Sequence, residues 1–199
     1  MTEMIERVDL AAQARLVAQL GERTTDAQLG DPTPCEDYAV RHLLGHLVML
    51  SAAFQDVARK ELGPLTSGSP TGHRLDVAPG WRDELATNLD GMVAAWRAPE
   101  AWEGRTEAGG QSLPGAVAGL VALDELLLHG WDLARATGQP YDPDPDSVRA
   151  VHALVSSWAG SGGIEGMFAA PVPVPEGAGL LDQVVALSGR RPDWTPPGG

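Results

Sequence analysis

The feature that most constrains this 199-residue chain is one long helical segment without interruption in its second half. Between Pro114 and Gly138 about 24 residues run without proline, which predicts a helix about 36 Å long. Ser112 is the predicted N-cap, Pro114 suits a first turn, and Gly138 is a typical C-terminal stop. A helix of this length and pattern is typical of helical bundles.

Apolar residues at three- and four-residue spacing predict the partners of this helix. The predicted fold class is therefore mainly α, an up-down four-helix bundle with a small C-terminal extension. The predicted helices span residues 3–21, 40–62, 81–96 and about 112–138, followed by a helix capped by Asp146 and a short last helix over 180–188.

Proline and glycine divide these helices from one another. Residues 63–80 and 97–112 are predicted loops, and the alternating prolines of 167–174 predict an edge strand or an extended arm. We therefore divide the chain into a helical domain, residues 1–160, and a C-terminal extension, residues 161–199, that packs on it.

Composition and charge exclude several classes of partner. Fourteen Lys and Arg against 27 Asp and Glu give a net charge of −13, which repels nucleic-acid phosphates and anionic membranes. The single cysteine fits a reducing compartment. The N-terminus does not resemble a signal peptide, and no apolar run approaches the roughly 18 residues that span a bilayer. We expect a cytoplasmic protein that binds neither nucleic acid nor membrane.

The long helix carries polar residues on a stripe that should face the core. Glu125 and His129 are four residues apart, so their side chains stand one turn apart on the same face. Asp132 lies about 20° from Glu125 on the helical wheel. A carboxylate and an imidazole in this arrangement can hold one metal ion.

His46 occupies the centre of the apolar stripe of the second predicted helix. If this helix packs against the long helix, His46 approaches Glu125 and His129. Two imidazoles and a carboxylate suit a divalent metal, with zinc the first choice and nickel, iron or manganese as alternatives. Three protein ligands leave a coordination position open, which is the catalytic rather than the structural arrangement.

Each pattern also has an ordinary structural interpretation. A lone histidine on an apolar helix face is more often a core residue, and a Glu–His pair at this spacing is more often a surface pair. The polar residues could form a purely structural hydrogen-bonded network. Asp132 could orient a ligand, or pair with Arg135 or with a neighbouring helix.

The other histidines and the cysteine are weaker candidates. His42 has HxxxH spacing to His46, but it lies at the edge of the stripe, and we interpret it as a partly exposed helix residue. His73 lies in a Gly-rich loop and His152 opposite the apolar stripe of its helix, so both are predicted surface residues. Acidic neighbours disfavour the thiolate of Cys35, which we interpret as a buried structural residue.

Several segments resemble motifs of a known family. Residues 32–48 and residues 125–138, which read ELLLHGWDLARATG, are similar to the mycothiol-dependent maleylpyruvate isomerase-like proteins of the DinB-like (YfiT-like) superfamily of metalloenzymes. Residues 172–175 and 189–194 resemble an actinobacterial branch of that superfamily. The likeness covers nearly the whole chain, and the motif on the long helix is specific.

The resemblance implies a four-helix bundle that holds a divalent metal with His46, Glu125 and His129. It also implies a small-molecule substrate, a low-molecular-weight thiol such as mycothiol, and a homodimer. Tyr38, where the family usually has Trp, departs from the pattern and should alter packing only. Ala39 replaces a capping Ser or Thr, which should weaken the start of its helix by about 1 kcal/mol.

These expectations combine into a thiol-dependent transferase or isomerase that acts on a small electrophile. The metal would hold the thiol as a thiolate, which would attack the electrophile. The loops over 63–80 and 97–112 would line the mouth of the bundle. The alternative is a non-catalytic metal- or ligand-binding bundle, whose site is closed by a fourth protein ligand or filled by side chains.

Overall fold

Helices make up most of the described chain, as the apolar spacing predicts. The computed structural model describes residues 7–35, 38–68, 75–158 and 169–197. In chain order the elements are α1 (Ala11–Arg23), a 3-10 helix (Asp26–Gly30), α2 (Val40–Arg59), α3 (Pro64–Ser67), α4 (Trp81–Trp96), α5 (Pro99–Trp102), β1 (Arg105–Ala108), β2 (Gln111–Pro114), α6 (Gly115–Thr137), α7 (Pro145–Trp158) and α8 (Leu180–Leu187).

Four of these helices, α1, α2, α4 and α6, form a four-helix bundle. Helices α1 and α2 lie at opposite corners, and each packs against both α4 and α6. The prediction of a mainly α bundle is confirmed. No helix within the described ranges is both long enough and apolar enough to cross a membrane. The core contains almost fully buried leucines from every bundle helix: Leu20, Leu43, Leu47, Leu85, Leu89, Leu123 and Leu127.

Helix α6 lies at the centre of the fold because neighbours cover most of its surface. It contacts α1, α2, α5 and α7. Most of its residues are therefore buried, including the polar residues Asp124, His129 and Asp132. Gly138 ends the helix with φ of 67°, a left-handed conformation that glycine adopts without strain, as the sequence predicts.

Two predicted helix starts are wrong because side-chain hydrogen bonds fix them elsewhere. Helix α1 begins at Ala11, whose N–H donates to Asp9 Oδ1 at 3.0 Å, rather than at the predicted residue 3. Residues 1–6 lie outside the described residues. Helix α7 is capped by Asp144 rather than Asp146, since Asp144 Oδ2 accepts a bond from the Ser147 N–H at 2.9 Å.

The predicted loop over 97–112 contains regular structure. After α5, strands β1 and β2 form an antiparallel hairpin, which is anchored to α2 by a bond from the Thr106 hydroxyl to the Val57 carbonyl at 2.7 Å. Ser112 therefore lies in β2 and does not cap the long helix, so that prediction is wrong. Pro114 holds the capping position without a side-chain hydrogen bond.

The described part of the predicted C-terminal extension, residues 169–197, lies against α6 and α7. Helix α8 lies against α7, and the Val172 N–H donates to the Ala186 carbonyl at 3.0 Å. Arg135 on α6 donates to the carbonyl of Trp194 at 3.1 Å. Residues 169–174 form no strand, so the edge-strand interpretation is wrong. The predicted boundary at residue 160 lies outside the described residues.

A close backbone approach lies beside the candidate site. A Cβ atom at Gly45 would sit 2.3 Å from the carbonyl oxygen of Leu75. Only glycine therefore allows residues 75–78 to cross α2 at this point. The C-terminal part of the predicted loop over 63–80 therefore contacts α2 at Gly45, the residue that precedes His46 in the sequence.

Candidate metal centre

Helices α2 and α6 carry the three predicted ligands at the place where they pack against each other. His46 on α2 is 6% exposed and His129 on α6 is 9% exposed, so both imidazoles are buried. Glu125 is half-buried. The apolar stripe of α2 and the four-residue spacing on α6 therefore direct all three side chains inward.

One carboxylate oxygen of Glu125 lies between the two imidazoles. Glu125 Oε2 is 3.1 Å from His129 Nε2 and 3.4 Å from His46 Nε2. The two imidazole centroids are 4.8 Å apart with their planes at 81°. One potential ligand atom from each side chain lies within 4.8 Å of the others. The structure brings the three residues together as predicted, and their role as ligands stays a prediction.

A second layer of charged groups orients His129. Its Nδ1 lies 3.0 Å from Asp132 Oδ2, which accepts the hydrogen bond. Arg190, in the C-terminal extension, donates from Nε to Asp132 Oδ1 and from Nη2 to Oδ2, each at 2.8 Å. Of the roles considered for Asp132, the structure thus supports orientation of His129. The carboxylate also forms an ion pair, but its partner is Arg190 in a distant segment. Arg135 instead binds the Trp194 carbonyl.

These hydrogen bonds set the charge states at the centre. Burial opposes the charge on His129, but the hydrogen bonds to Asp132 and Glu125 outweigh it and raise the pKa of His129 to about 9. Burial alone would raise the pKa of Glu125, yet hydrogen bonds from His129 and His46 hold it below its usual range. Because Nδ1 of His129 donates to Asp132 and the raised pKa of His129 retains the second proton near neutral pH, Nε2 donates to Glu125 in the metal-free protein.

The chemistry of the donor set fits a divalent metal. His46, Glu125 and His129 would hold the cation, which would replace the protons that otherwise link these side chains. Imidazole nitrogen and carboxylate oxygen are ordinary zinc ligands, and the Asp132 contact is the kind of outer hydrogen bond that fixes a ligating histidine. Across the ranges that the structure describes, no other group of three His, Cys, Asp or Glu side chains converges in this way.

Asp124 and Arg190 are two ionisable residues of this region that the residue pattern did not single out. Asp124 is 1% exposed, and its Oδ1 accepts no hydrogen bond from the described residues. Burial and the adjacent Glu125 carboxylate raise the pKa of Asp124 to about 8, so it is protonated at neutral pH. The available signals were a carboxylate inside an apolar run and an Arg-Arg pair near the C-terminus.

We expect Asp124→Asn to change how stability depends on pH in the metal-free protein. The folded-state pKa of about 8 lies above the ordinary value of 3.8. The stability that Asp124 contributes is therefore complete below about pH 4 and is lost as the pH rises through about 8. Between about pH 4 and about pH 8, the free energy of unfolding of Asp124→Asn should therefore rise relative to that of the wild type.

Urea denaturation at about pH 5 and about pH 8 measures the difference. The control is Asp90→Asn, at an exposed position of α4, which should leave the pH dependence unchanged. The same pH dependence in the wild type and in Asp124→Asn would contradict the burial of a protonated carboxyl.

His42 caps α2 and does not join the centre. Its Nδ1 accepts a hydrogen bond from the Ala39 N–H at 3.2 Å, which supplies the cap that the Ala39 side chain cannot. His42 is half-buried, as predicted, whereas His152 is half-buried rather than a surface residue. His73 lies outside the described residues. Cys35 is half-buried rather than buried as predicted, and it interacts electrostatically with Arg190 of the C-terminal extension.

Comparisons with known proteins agree with the resemblance of the motifs. The family described as mycothiol maleylpyruvate isomerase N-terminal domain matches residues 10–134. Uncharacterized proteins from two strains of Mycobacterium tuberculosis, CDC 1551 / Oshkosh and ATCC 25618 / H37Rv, are each 31% identical to the chain over 189 residues. These alignments cover 90% of this chain and 93% of each relative.

The fold is similar to that of a solved enzyme. The crystal structure of the mycothiol-dependent maleylpyruvate isomerase has a TM-score of 0.65 at 17% sequence identity, covering 96% of this chain and 94% of that chain. A histidine-to-alanine mutant of the enzyme gives a TM-score of 0.63 at 16% identity, covering 95% and 92%. At such low identity the likeness concerns the fold, and it confirms the predicted DinB-like architecture.

Proposed function

The chain belongs to the mycothiol maleylpyruvate isomerase N-terminal domain family, and on that premise we propose that it is a divalent-metal-dependent enzyme that uses a low-molecular-weight thiol. The proposed reaction is thiol transfer to a small electrophile, or its thiol-assisted isomerisation, with mycothiol as the thiol. The observation that carries the proposal is one carboxylate oxygen lying between two buried imidazoles from packed helices. The reaction would take place in the cytoplasm.

His46, Glu125 and His129 would hold the metal, with zinc the first choice for two nitrogen donors and one oxygen donor. Three protein ligands leave a position open for an exogenous group. A bound divalent metal favours the deprotonated form of a coordinating thiol, which supplies a nucleophile at neutral pH. Asp132 would keep Nε2 of His129 directed at the centre by accepting a hydrogen bond from Nδ1–H.

Solvent reaches the centre mainly on the side of Glu125. The Glu125 side chain is 21% exposed, against 8% for His46 and 11% for His129. A small ligand would therefore approach past the carboxylate. The Tyr38 ring, whose centroid is 5.7 Å from that of His46, packs beside the imidazole. The buried imidazoles experience little screening by water, which strengthens electrostatic interactions at the centre.

The rival hypothesis is a closed, non-catalytic metal- or ligand-binding site. Closure needs either a fourth protein ligand or side chains that fill the pocket. Among the described residues the convergent group consists of His46, Glu125 and His129 alone, which argues against the first route. The nearby carboxylate of Asp132 is engaged by Arg190 and His129. This arrangement favours the open, catalytic form of the proposal.

Metal analysis of protein purified without an affinity tag is the first test. We expect about one equivalent of divalent metal per chain, as three converging ligands imply. Metal-loaded protein given mycothiol and a panel of small electrophiles should then convert an electrophile, with loss of the free thiol in a transfer and without net loss of it in an isomerisation, while protein treated with a chelator should do neither. Failure to bind any divalent metal would refute the proposal. Stoichiometric metal without turnover across a broad panel would favour the non-catalytic alternative.

A further inference from the structure

A buried arginine outside the family match completes the charge network of the centre. Arg190 lies beyond residues 10–134, and its side chain is 12% exposed. Its Nε and Nη2 atoms both bind the Asp132 carboxylate, and its Nη1 donates to Ser188 Oγ at 3.1 Å. Asp132 is fully buried. The C-terminal extension thus reaches the residue that orients His129.

We propose that the C-terminal extension is a working part of the metal centre, with Arg190 as a positioning residue that acts on His129 through Asp132. Metal binding and docking of the extension are then coupled, each favouring the other. This inference rests on the proposed function, because it requires that His46, Glu125 and His129 hold a metal.

The paired hydrogen bonds from Arg190 to Asp132 explain how the C-terminal extension orients the imidazole of His129. Two parallel hydrogen bonds from a guanidinium hold the plane of a carboxylate and also stabilise its charged form. Asp132 Oδ2 accepts from both Arg190 and His129, so holding the carboxylate also holds the ring. The Nε2 atom of His129 then stays directed at Glu125.

Metal binding and docking of the extension are coupled because both involve the contact between Arg190 and Asp132. If the docked extension raises the affinity for metal, bound metal must strengthen docking by the same factor. Docking does not depend on Arg190 alone: the Arg135 bond to Trp194 and the packing of α8 on α7 also hold the extension. Variants at residue 190 should therefore stay folded.

The first test measures the zinc dissociation constant by competition with a chromophoric chelator. Arg190→Met should weaken zinc binding by about 10- to 100-fold, the usual loss when an outer partner of a ligating histidine is removed. Arg190→Lys keeps the positive charge but loses the two parallel hydrogen bonds, so its zinc dissociation constant should lie between those of Arg190→Met and the wild type. The matched control, Arg191→Met, removes the adjacent exposed arginine and should leave the constant within about 2-fold.

The second test uses the wild-type chain, so it does not depend on the folding of any variant. Hydrogen exchange of residues 180–194 should slow when zinc is added. The visible spectrum of the cobalt-loaded protein should also change in Arg190→Lys, because the ligand orientation changes, whereas it should not change in Arg191→Met.

The outcomes separate the inference from the proposed function. A wild type that binds no metal refutes both. A wild type that binds zinc, with equal affinity in Arg190→Met and unchanged hydrogen exchange of the extension, overturns the coupling alone. Weaker zinc binding in Arg190→Met, with slower exchange in zinc-loaded wild type, supports the coupling.

Discussion

Replacement of His129 by alanine is expected to abolish stoichiometric zinc binding. His129 supplies one of three donors and lies 3.1 Å from Glu125 Oε2, so its loss leaves one imidazole and one carboxylate. Two donors cannot provide the three protein ligands of an open zinc site. The loss should exceed the roughly 10- to 100-fold expected for an outer partner such as Arg190. Equilibrium dialysis followed by elemental analysis measures the remaining occupancy.

The matched control for this variant is His152→Ala. His152 is a half-buried histidine on α7 that is not part of the convergent group. This variant should retain full occupancy, which separates loss of a ligand from loss of histidine in general. Unchanged zinc content in His129→Ala would refute the assignment of the centre.

Replacement of Asp132 by alanine should produce a large loss of stability. The Asp132 side chain is fully buried, and its partner Arg190 is 12% exposed. Removing the carboxylate leaves a buried guanidinium without its countercharge, which typically costs about 3–5 kcal/mol in the free energy of unfolding. Chemical denaturation of the metal-free protein measures the change without interference from metal binding.

A second arginine–aspartate pair provides the control. Arg191 and Asp193 are 72% and 73% exposed, and they make the same type of ion pair in water. Asp193→Ala should leave the denaturation midpoint nearly unchanged, since solvent screens such pairs. Equal effects of the two substitutions would show that burial does not determine the energetics of the Asp132 pair.

The parts of the fold that depend on local periodicity were predictable from the sequence. The helix over 81–96 and the long helix ending at Gly138 match the structure because apolar spacing, proline and glycine act over neighbouring residues. The approach of His46 to Glu125 and His129 was also foreseen, because each lies on an apolar face that has to be buried.

Interactions between distant segments were not predictable in this way. Asp132 and Arg190 are 58 residues apart, and no spacing rule connects a helix residue to a C-terminal segment. The hairpin over 105–114 was missed because its short strands lack a clear alternation of polar and apolar residues. His42 was foreseen as a half-buried residue, but its role as the cap of α2 depends on side-chain geometry.

The pairing of Asp132 with Arg190 also determines the charge balance of the centre. With a metal bound as proposed, His129 would be neutral, Arg190 would cancel the charge of Asp132, and protonated Asp124 would add none, so Glu125 would supply the one uncompensated negative charge. A divalent cation held there would leave a local surplus of one positive charge, within a chain whose net charge is −13. A monoanion would neutralise that interior, whereas a polyanion would overcharge it and meet stronger repulsion from the acidic exterior. If the centre holds the proposed divalent cation, its local charge should therefore favour a monoanionic ligand over a polyanionic one.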